Sequence, residues 1–264
     1  MQQIGILGCG WLGVPLGIHL KNKGGVIRGS RTTDAGAAEL NKTGIQGFKV
    51  HLRLESTHGI DAFLNQLDTL IISIPPRRKI PDGAYAKKME RLINALEDTA
   101  LKRIIFLSST SVYGPASNTY TEESLVFPKT AAAKSLFESE QYIAKTKIPS
   151  VIVRLGGLIG PDRNPVFQLQ DKIISNPKGR INFVHQVDAV NAIGELIENA
   201  ELNGVFNLVC PHHPLREDYY LHWSKKLQLP TPRFAHEEVN VRIVQGNKIT
   251  EKTSFNYTVN NLLI

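Results

Sequence analysis

The sequence is poor in cysteine and has no long apolar run. Its two cysteines, Cys9 and Cys210, are too few for a disulfide framework, so a reducing compartment and a cytoplasmic location are predicted. A membrane helix needs about 20 consecutive apolar residues, whereas the apolar stretch at 4–20 is interrupted by five glycines and a proline. We expect neither a membrane span nor a signal peptide. Because His212 and His213 have no third ligand at metal-binding spacing, no metal site is expected.

Nucleic-acid-binding motifs are also missing, although the chain is basic. Its 31 lysines and arginines exceed its 24 aspartates and glutamates, which gives a net charge of +7. These residues are spread along the chain without interleaved aromatics. The charge is typical either of a solvated surface or of a protein that attracts an anionic small molecule. We therefore expect a small-molecule substrate and neither a nucleic-acid nor a membrane partner. The protein is expected to be a monomer or a homodimer.

Short apolar runs alternate with helical patterns along the chain. Residues 4–7 predict a strand, and the four-residue spacing of Leu12, Leu16 and Leu20 predicts a helix after it. Further strands are predicted at 26–29, 48–52, 70–74, 103–107, 151–155, 181–184 and 205–209, and further helices at 34–42, 59–67, 82–99, 130–146, 165–175, 187–200 and 215–227. This alternation is typical of an α/β fold, a Rossmann doubly wound parallel sheet with helices on both faces.

Two regions are expected within this fold. Residues 1–155 are predicted to form an NAD(P)-binding Rossmann domain. Residues 156–264 are predicted to form a smaller α/β substrate-binding region, tightly packed on the first and able to extend its sheet. No composition shift or linker divides them.

A glycine-rich loop follows the first strand. Gly8, Gly10 and Gly13 form the pattern G-x-G-x-x-G between a predicted strand and a predicted helix, which is the context that makes this pattern specific. The glycines allow a tight turn, a close approach of the backbone to a pyrophosphate, and close packing of the helix on the sheet. Phosphates bind at such a helix N-terminus because free N–H groups and the helix dipole favour negative charge. A dinucleotide site is therefore predicted, with Trp11 and Leu12 also in contact with the cofactor.

An acidic residue is missing at the end of the second strand, where NAD-binding versions of the fold place Asp or Glu. The chain has Ser30, Arg31 and Thr32 there. A guanidinium suits a 2′-phosphate, and the two hydroxyls add donors. NADP(H) is therefore the preferred cofactor, with NAD(H) as the alternative. An arginine on a surface loop is the simpler interpretation of the same residue.

The ends of two further strands are expected in the cofactor groove, because ligands lie along the carboxyl edge of a doubly wound sheet. The fourth strand ends at Ile74 and is followed by Pro75 and Pro76, and the fifth strand is followed by Ser108. The prolines would also serve simply to end the strand.

An ordered set of motifs continues beyond the glycine loop. It comprises Ser-Ser-Thr-Ser-Val-Tyr-Gly at 108–114, Arg-Leu-Gly-Gly-Leu-Ile-Gly-Pro at 154–161, His-Gln-Val-Asp at 185–188 and Phe-Asn-Leu at 206–208. Together the motifs resemble the extended short-chain dehydrogenase/reductase superfamily of the NAD-dependent epimerase/dehydratase type, and the loop Gly-Cys-Gly-Trp-Leu-Gly is most similar to its atypical members. The resemblance implies an NADP(H)-dependent oxidoreductase or nucleotide-sugar epimerase/dehydratase-like enzyme, acting on a sugar nucleotide or a carbonyl compound.

The resemblance also implies an active-site serine, tyrosine and lysine, the last two as Tyr-x-x-x-Lys on a helix. Ser109 matches the serine, which polarises the substrate oxygen. One register gives Thr130-x-x-x-Lys134, which keeps the ribose-binding lysine and loses the tyrosine. A second register, anchored on Glu140, loses both, and we prefer the first. Because a threonine hydroxyl is far too weakly acidic to replace a phenol, Tyr113 is a further candidate acid, unless it is a packed loop tyrosine.

The missing tyrosine leaves two functions open. The glycine loop, Arg31, Ser109 and Lys134 favour an enzyme. The loss of the acid favours a non-catalytic NADP(H)-binding sensor or regulatory scaffold, which would bind NADP⁺ and NADPH unequally and change its association with a partner. We favour the enzyme.

Overall fold

A parallel β-sheet forms the centre of the computed structural model, which describes residues 1–54, 56–76, 83–169, 172–235 and 239–264. In the described residues this sheet has seven strands: β1 (Gln3–Leu7), β2 (Val26–Arg31), β3 (Gln46–Lys49), β4 (Thr69–Ile72), β5 (Arg103–Ser109), β6 (Ser150–Leu155) and β7 (Gly204–Leu208). Their order is β3-β2-β1-β4-β5-β6-β7, and every neighbouring pair is parallel. The predicted doubly wound Rossmann sheet is confirmed.

Helices cover both faces of the sheet. They are α1 (Gly13–Asn22), α2 (Asp34–Lys42), α3 (Ile60–Leu64), α4 (Ala84–Leu96), α5 (Ala131–Lys145), α6 (Gln186–Glu198), α7 (Arg216–Lys226) and α8 (Lys248–Lys252). Helix α1 packs against α6 on one face, and α4 packs against α5 on the other. No helix in the described ranges is long and apolar enough to cross a bilayer.

The central strands are apolar on both faces, as strands covered on both sides must be. In β4, Ile71 belongs to the core on the α1 and α6 side, whereas Leu70 and Ile72 belong to the core on the α4 and α5 side. All three are completely buried. The continuous apolar runs in the sequence are therefore strands of one sheet that contribute side chains to a core on each face.

The second half of the chain contributes to the same sheet. Strand β7 pairs with β6 at the sheet edge, from Gly204 opposite Val151 to Leu208 opposite Leu155. Outside the sheet the chain forms short strands and two 3-10 helices, at His51–Leu52, Thr57–His58, Thr110–Tyr113, Asn118–Tyr120, Gly157–Ile159, Pro165–Gln168, Ile173–Ile174, Phe183–His185, Arg233–Phe234 and Arg242–Val244.

Two predicted elements differ from the structure. The helix predicted at 165–175, part of which lies outside the described residues, is a 3-10 helix at Pro165–Gln168 followed by a strand at Ile173–Ile174. That strand pairs with Arg233–Phe234, a distant partner that local periodicity does not reveal. The third strand, predicted at 48–52, is β3 at Gln46–Lys49. It ends earlier than predicted because the chain leaves the sheet at Val50, and His51–Leu52 pairs with Thr57–His58 instead.

Candidate functional site

The loop between β1 and α1 has a backbone that requires glycine at its first position. Gly8 has a φ of +91°, and a Cβ there would lie 3.0 Å from the backbone of Ser73. The Gly8 N–H donates to Oγ of Ser30 at 2.8 Å, and the Cys9 N–H donates to the carbonyl oxygen of Ser30 at 3.0 Å. Ser30, at the end of β2, therefore holds the turn of the glycine loop in place.

A cavity of about 800 Å³ lies beside this loop, along the carboxyl ends of the strands. Gly13 does not line it but lies beneath the loop, where a Cβ would be 3.1 Å from Ile6 of β1. All the other predicted cofactor residues line the cavity: Gly8, Gly10, Trp11, Leu12, Ser30, Arg31, Thr32, Ile74, Pro75, Pro76 and Ser108. The structure therefore brings the sequence-predicted cofactor residues together along one groove.

Several lining residues were not singled out in the sequence. Tyr85, Lys88 and Met89 come from one face of α4, and their three- and four-residue spacing is the signal that would have grouped them. Arg53 and Arg163 come from irregular segments, for which no periodic pattern exists. Sequence reasoning missed these residues because the sheet brings them together from distant parts of the chain.

The cavity wall is strongly basic. Its described residues include Arg31, Arg53, Lys88 and Arg163, with His51 as a further basic group and no aspartate or glutamate. Walls that carry charge of one sign attract ligands of the opposite sign and raise their local concentration. The cavity therefore fits a polyanionic ligand. In the described part of the chain, no group of three histidine, cysteine or acidic side chains could hold a metal ion.

Arg31 occupies the position where an acid would select an unphosphorylated ribose. Its side chain is half-buried, and its Nε is buried without a hydrogen-bond partner in the described residues. The first acid after β2, Asp34, is instead paired with Lys49 at 2.6 Å, and 82% of the Asp34 side chain is exposed. Because a buried unpaired donor is costly, a phosphate beside Arg31 would satisfy a group that the protein leaves unpaired.

The other end of the cavity is formed by β5 and α5. Ser109 lines it, and its Oγ accepts the N–H of Ser111 at 3.2 Å while its own proton has no acceptor in the described residues. The Ser108 hydroxyl also lines the cavity but donates to Oε1 of Glu140 at 2.5 Å. Of the two hydroxyls, Ser109 is therefore the one free to donate to a ligand.

The placement of the side chains on α5 distinguishes the two registers considered for the tyrosine and lysine. Lys134 is exposed, and Thr130 caps the helix by accepting a backbone N–H, so neither of these predicted residues lines the cavity. Leu136 lines it, and Glu140 is buried one turn further on. Residues four apart share a helix face. The geometry therefore favours the register anchored on Glu140, in which Ala132 and Leu136 occupy the tyrosine and lysine positions.

Glu140 is part of a buried ion pair with Arg154 of β6. Nη2 of Arg154 lies 2.7 Å from Oε2 of Glu140, and Nε also donates to both carboxylate oxygens. The two side chains are only 5% and 3% exposed. Burial alone would lower the pKa of Arg154, but its hydrogen bonds to Glu140 and the charge of that carboxylate keep the pKa above its ordinary value. Arg154 therefore remains charged, and the pair joins α5 to the sheet.

Tyr113, the further candidate acid, does not reach the cavity. It is fully buried, its hydroxyl donates to Oδ1 of Asn207 at 2.8 Å, and its ring stacks on Tyr120 with centroids 5.1 Å apart. Burial raises the pKa of Tyr113. The phenol is consequently a weaker acid than usual and is held by Asn207 in the interior, so its placement does not support a catalytic role.

Comparison with known proteins agrees with this architecture. Residues 83–208 match the model of the NAD dependent epimerase/dehydratase family. The protein YeeZ of Escherichia coli K12 is 32% identical over 264 residues, covering 97% of this chain and 96% of its own. The chain therefore belongs to the NAD-dependent epimerase/dehydratase family.

Solved structures share the fold at low sequence identity. The UDP-glucuronic acid 4-epimerase of Bacillus cereus in complex with NAD is 19% identical and superposes with a TM-score of 0.80, over 99% of this chain and 94% of its own. A short-chain dehydrogenase/reductase superfamily protein of Agrobacterium tumefaciens with bound NAD is 16% identical, also with a TM-score of 0.80, over 99% and 95% of the two chains. At these identities the likeness concerns the fold.

Proposed function

We propose that the protein binds NADP(H) in this cavity and uses it as an oxidoreductase or nucleotide-sugar epimerase/dehydratase-like enzyme. The observation that carries the proposal is that one cavity combines the glycine loop, at Gly8 and Gly10, with the Arg31 guanidinium at the end of β2. The loop amides at the start of α1 suit a pyrophosphate. The guanidinium suits the 2′-phosphate that distinguishes NADP(H) from NAD(H).

The charge of the cavity supports the phosphorylated cofactor. An added phosphate carries about −1.5 to −2 charges near neutral pH, and the described lining offers Arg31, Arg53 and Lys88 without a carboxylate. The Bacillus cereus and Agrobacterium tumefaciens proteins hold NAD. The proposed preference for NADP(H) therefore rests on the residues of this chain and not on its structural neighbours.

Calorimetric titration with NADP⁺ and NAD⁺ tests the preference. The unsubstituted protein is expected to bind NADP⁺ at least about tenfold more tightly than NAD⁺, because one charge-assisted contact contributes about that factor to the affinity. Arg31→Gln is expected to remove that difference and leave NAD⁺ affinity within about twofold. Lys42→Gln is the control, because Lys42 is exposed and pairs with Glu39 away from the cavity. Equal affinity of the unsubstituted protein for both cofactors would overturn the preference.

The proposed substrate is a sugar nucleotide or a carbonyl compound. When bound, the cofactor supplies or accepts a hydride at its nicotinamide ring. Ser109, with its proton free of described acceptors, would hydrogen-bond the substrate oxygen. In the favoured register Ala132 and Leu136 occupy the tyrosine and lysine positions, and Leu136 lines the cavity. The proton must therefore come from a group other than an α5 phenol.

Hydride transfer tests the enzymatic part of the proposal. NADPH oxidation at 340 nm with aldehydes and ketones, and product analysis with sugar nucleotides, should reveal turnover above a protein-free control. Ser109→Ala is expected to lower that turnover about tenfold or more while cofactor affinity stays unchanged. Binding of NADP(H) without turnover on any of these substrates would contradict the enzyme.

A non-catalytic NADP(H) sensor is a second candidate, favoured by one observation. The cavity-lining residue of α5 is Leu136, which has no proton to give, and Lys134 is exposed. A sensor should distinguish NADP⁺ from NADPH by at least about fivefold in affinity, the lower range of allosteric coupling. Calorimetry with each form, together with sedimentation to detect a change in association, measures this. Equal affinities and an unchanged mass would count against a sensor.

A further inference from the structure

One rim of the cavity is built by a turn from the second half of the chain. In this turn the Gly160 N–H donates to the carbonyl oxygen of Arg163 at 3.0 Å, and the Arg163 N–H donates to that of Gly160 at 3.1 Å. The turn lies against the glycine loop, since a Cβ at Gly160 would be 2.7 Å from the indole ring of Trp11. The turn is therefore fixed both internally and against the loop that is proposed to hold the cofactor.

Trp11 is held by three contacts with this second region. Its indole N–H donates to Oδ1 of Asp162 at 2.8 Å, and its carbonyl oxygen accepts from Nε2 of Gln186 at 2.9 Å. The Arg163 guanidinium lies over the indole ring, with Cζ 4.9 Å from the ring centre. A guanidinium stacked on an aromatic face keeps its N–H donors for other partners. The stacking therefore positions Arg163 without consuming its donors.

The donors of Arg163 are free in the described residues. No described residue accepts a hydrogen bond from its side chain or forms an ion pair with it, and the adjacent carboxylate of Asp162 is engaged by Trp11. The side chain lines the same cavity as Gly8 and Gly10. A planar cation with free, fork-shaped donors beside a phosphate-binding loop is a suitable second ligand for a phosphate.

We propose that Arg163 binds the pyrophosphate of the dinucleotide together with the amides of the glycine loop. This inference rests on the proposed cofactor binding and adds a phosphate ligand from the second half of the chain. The pyrophosphate is common to NADP(H) and NAD(H). Arg163 therefore strengthens the binding of both cofactors by the same factor, whereas Arg31 acts on NADP(H) alone.

Calorimetric titrations of four variants test the inference. Arg163→Gln is expected to weaken the binding of NADP⁺ and of NAD⁺ about tenfold each, so that the ratio of the two affinities is unchanged. Arg163→Lys keeps the charge but loses the fork and should be intermediate. Arg31→Gln should lower that ratio instead. Arg233→Gln, at an exposed arginine of the same half of the chain that does not line the cavity, is the matched control and should have no effect.

The emission of Trp11 gives a second, local readout. The chain has two tryptophans, Trp11 and Trp223, so Trp223→Phe leaves Trp11 as the only reporter. Quenching of that emission by NADPH should need about tenfold more ligand when Arg163→Gln is added.

The outcomes separate this inference from the proposed function. Unchanged affinities in Arg163→Gln, or a loss confined to NADP⁺, overturn the pyrophosphate role while cofactor binding stands. If the unsubstituted protein binds neither dinucleotide, both proposals fail. A circular dichroism melt of Arg163→Gln that matches the unsubstituted protein shows that weaker binding does not come from misfolding.

Discussion

The two ends of the cavity differ in how closely they follow the family pattern. At the end formed by β1 and β2, the glycine loop is complete, and its positive-φ Gly8 is held by Ser30. At the end formed by β5 and α5, Ser109 is present, but Leu136 faces the cavity where the family has a polar side chain. Cofactor binding draws on backbone amides and fixed charges, whereas proton transfer needs one particular side chain. The first function can therefore persist on this fold without the second.

The largest expected effect concerns the buried ion pair behind the α5 end. Glu140→Ala should lower the free energy of unfolding by about 3–5 kcal/mol, because it leaves the buried Arg154 guanidinium without its carboxylate partner. Urea denaturation measures this. Glu138→Ala, at an exposed position of the same helix, should stay within about 0.5 kcal/mol. A loss below about 1 kcal/mol for Glu140→Ala would mean that the pair does not hold α5 to the sheet.

The glycine loop offers the next largest effect and a closely matched control. Gly8 and Gly24 both have a φ of +91°, but a Cβ at Gly8 would lie 3.0 Å from backbone atoms of Ser73, and one at Gly24 has nothing within 4 Å. Gly8→Ala and Gly24→Ala should both lose about 1–2 kcal/mol of stability to backbone strain, and Gly8→Ala should lose more because of the clash.

Affinity separates the two glycine variants further. Only Gly8→Ala should lose dinucleotide binding, by at least tenfold in a calorimetric titration, since the loop amides must move to relieve the contact. If Gly24→Ala weakened binding equally, the loss would reflect general destabilisation and not the shape of the glycine loop.

The residues that meet at the glycine-loop end of the cavity could be grouped from the sequence because their signals are local. A strand, three spaced glycines and a missing acid at Arg31 are each visible within a few residues. The α5 end was less predictable, because Thr130 to Glu140 contains two plausible registers. Only packing distinguishes the exposed Lys134 from Leu136, which lines the cavity. Arg163 could not be predicted, since its proximity to Trp11 depends on contact between segments about 150 residues apart.

Substitutions that restore the tyrosine in one register or the other are expected to have a smaller effect. Ala132→Tyr combined with Leu136→Lys places a phenol and an amine four residues apart, on the face of α5 that carries the cavity-lining Leu136. The double substitution should raise NADPH oxidation with carbonyl substrates about tenfold. This is less than the 10²–10⁴ of a positioned general acid, because the surrounding side chains are not arranged for the phenol. Thr130→Tyr, which retains Lys134, is the control and should give no increase. A gain with Thr130→Tyr alone would establish the other register.

The smallest expected effect lies at the amino ends of the central strands, on the side of the sheet opposite the cavity. It tests whether lost stability alone weakens binding. Asp68 accepts the Gln3 N–H at 2.8 Å and pairs with Lys102, also at 2.8 Å. The backbone hydrogen bond from Gln3, followed by the one from Lys102, holds the pKa of Asp68 below its ordinary value. A lowered pKa stabilises the folded state above the unfolded pKa, about 3.9. This stability is lost as the pH falls through the folded-state pKa.

Asp68→Asn should therefore cost less than about 1 kcal/mol at pH 7, since the Lys102 partner is largely exposed. The difference from the unsubstituted protein should shrink below about pH 4 in urea denaturation. Dinucleotide affinity should stay unchanged, because Asp68 does not line the cavity. If affinity fell with stability in this variant, the losses expected for Gly8→Ala would no longer identify a contact with the cofactor, and the contrast between the two ends of the cavity would have to rest on Arg31 and Arg163 alone.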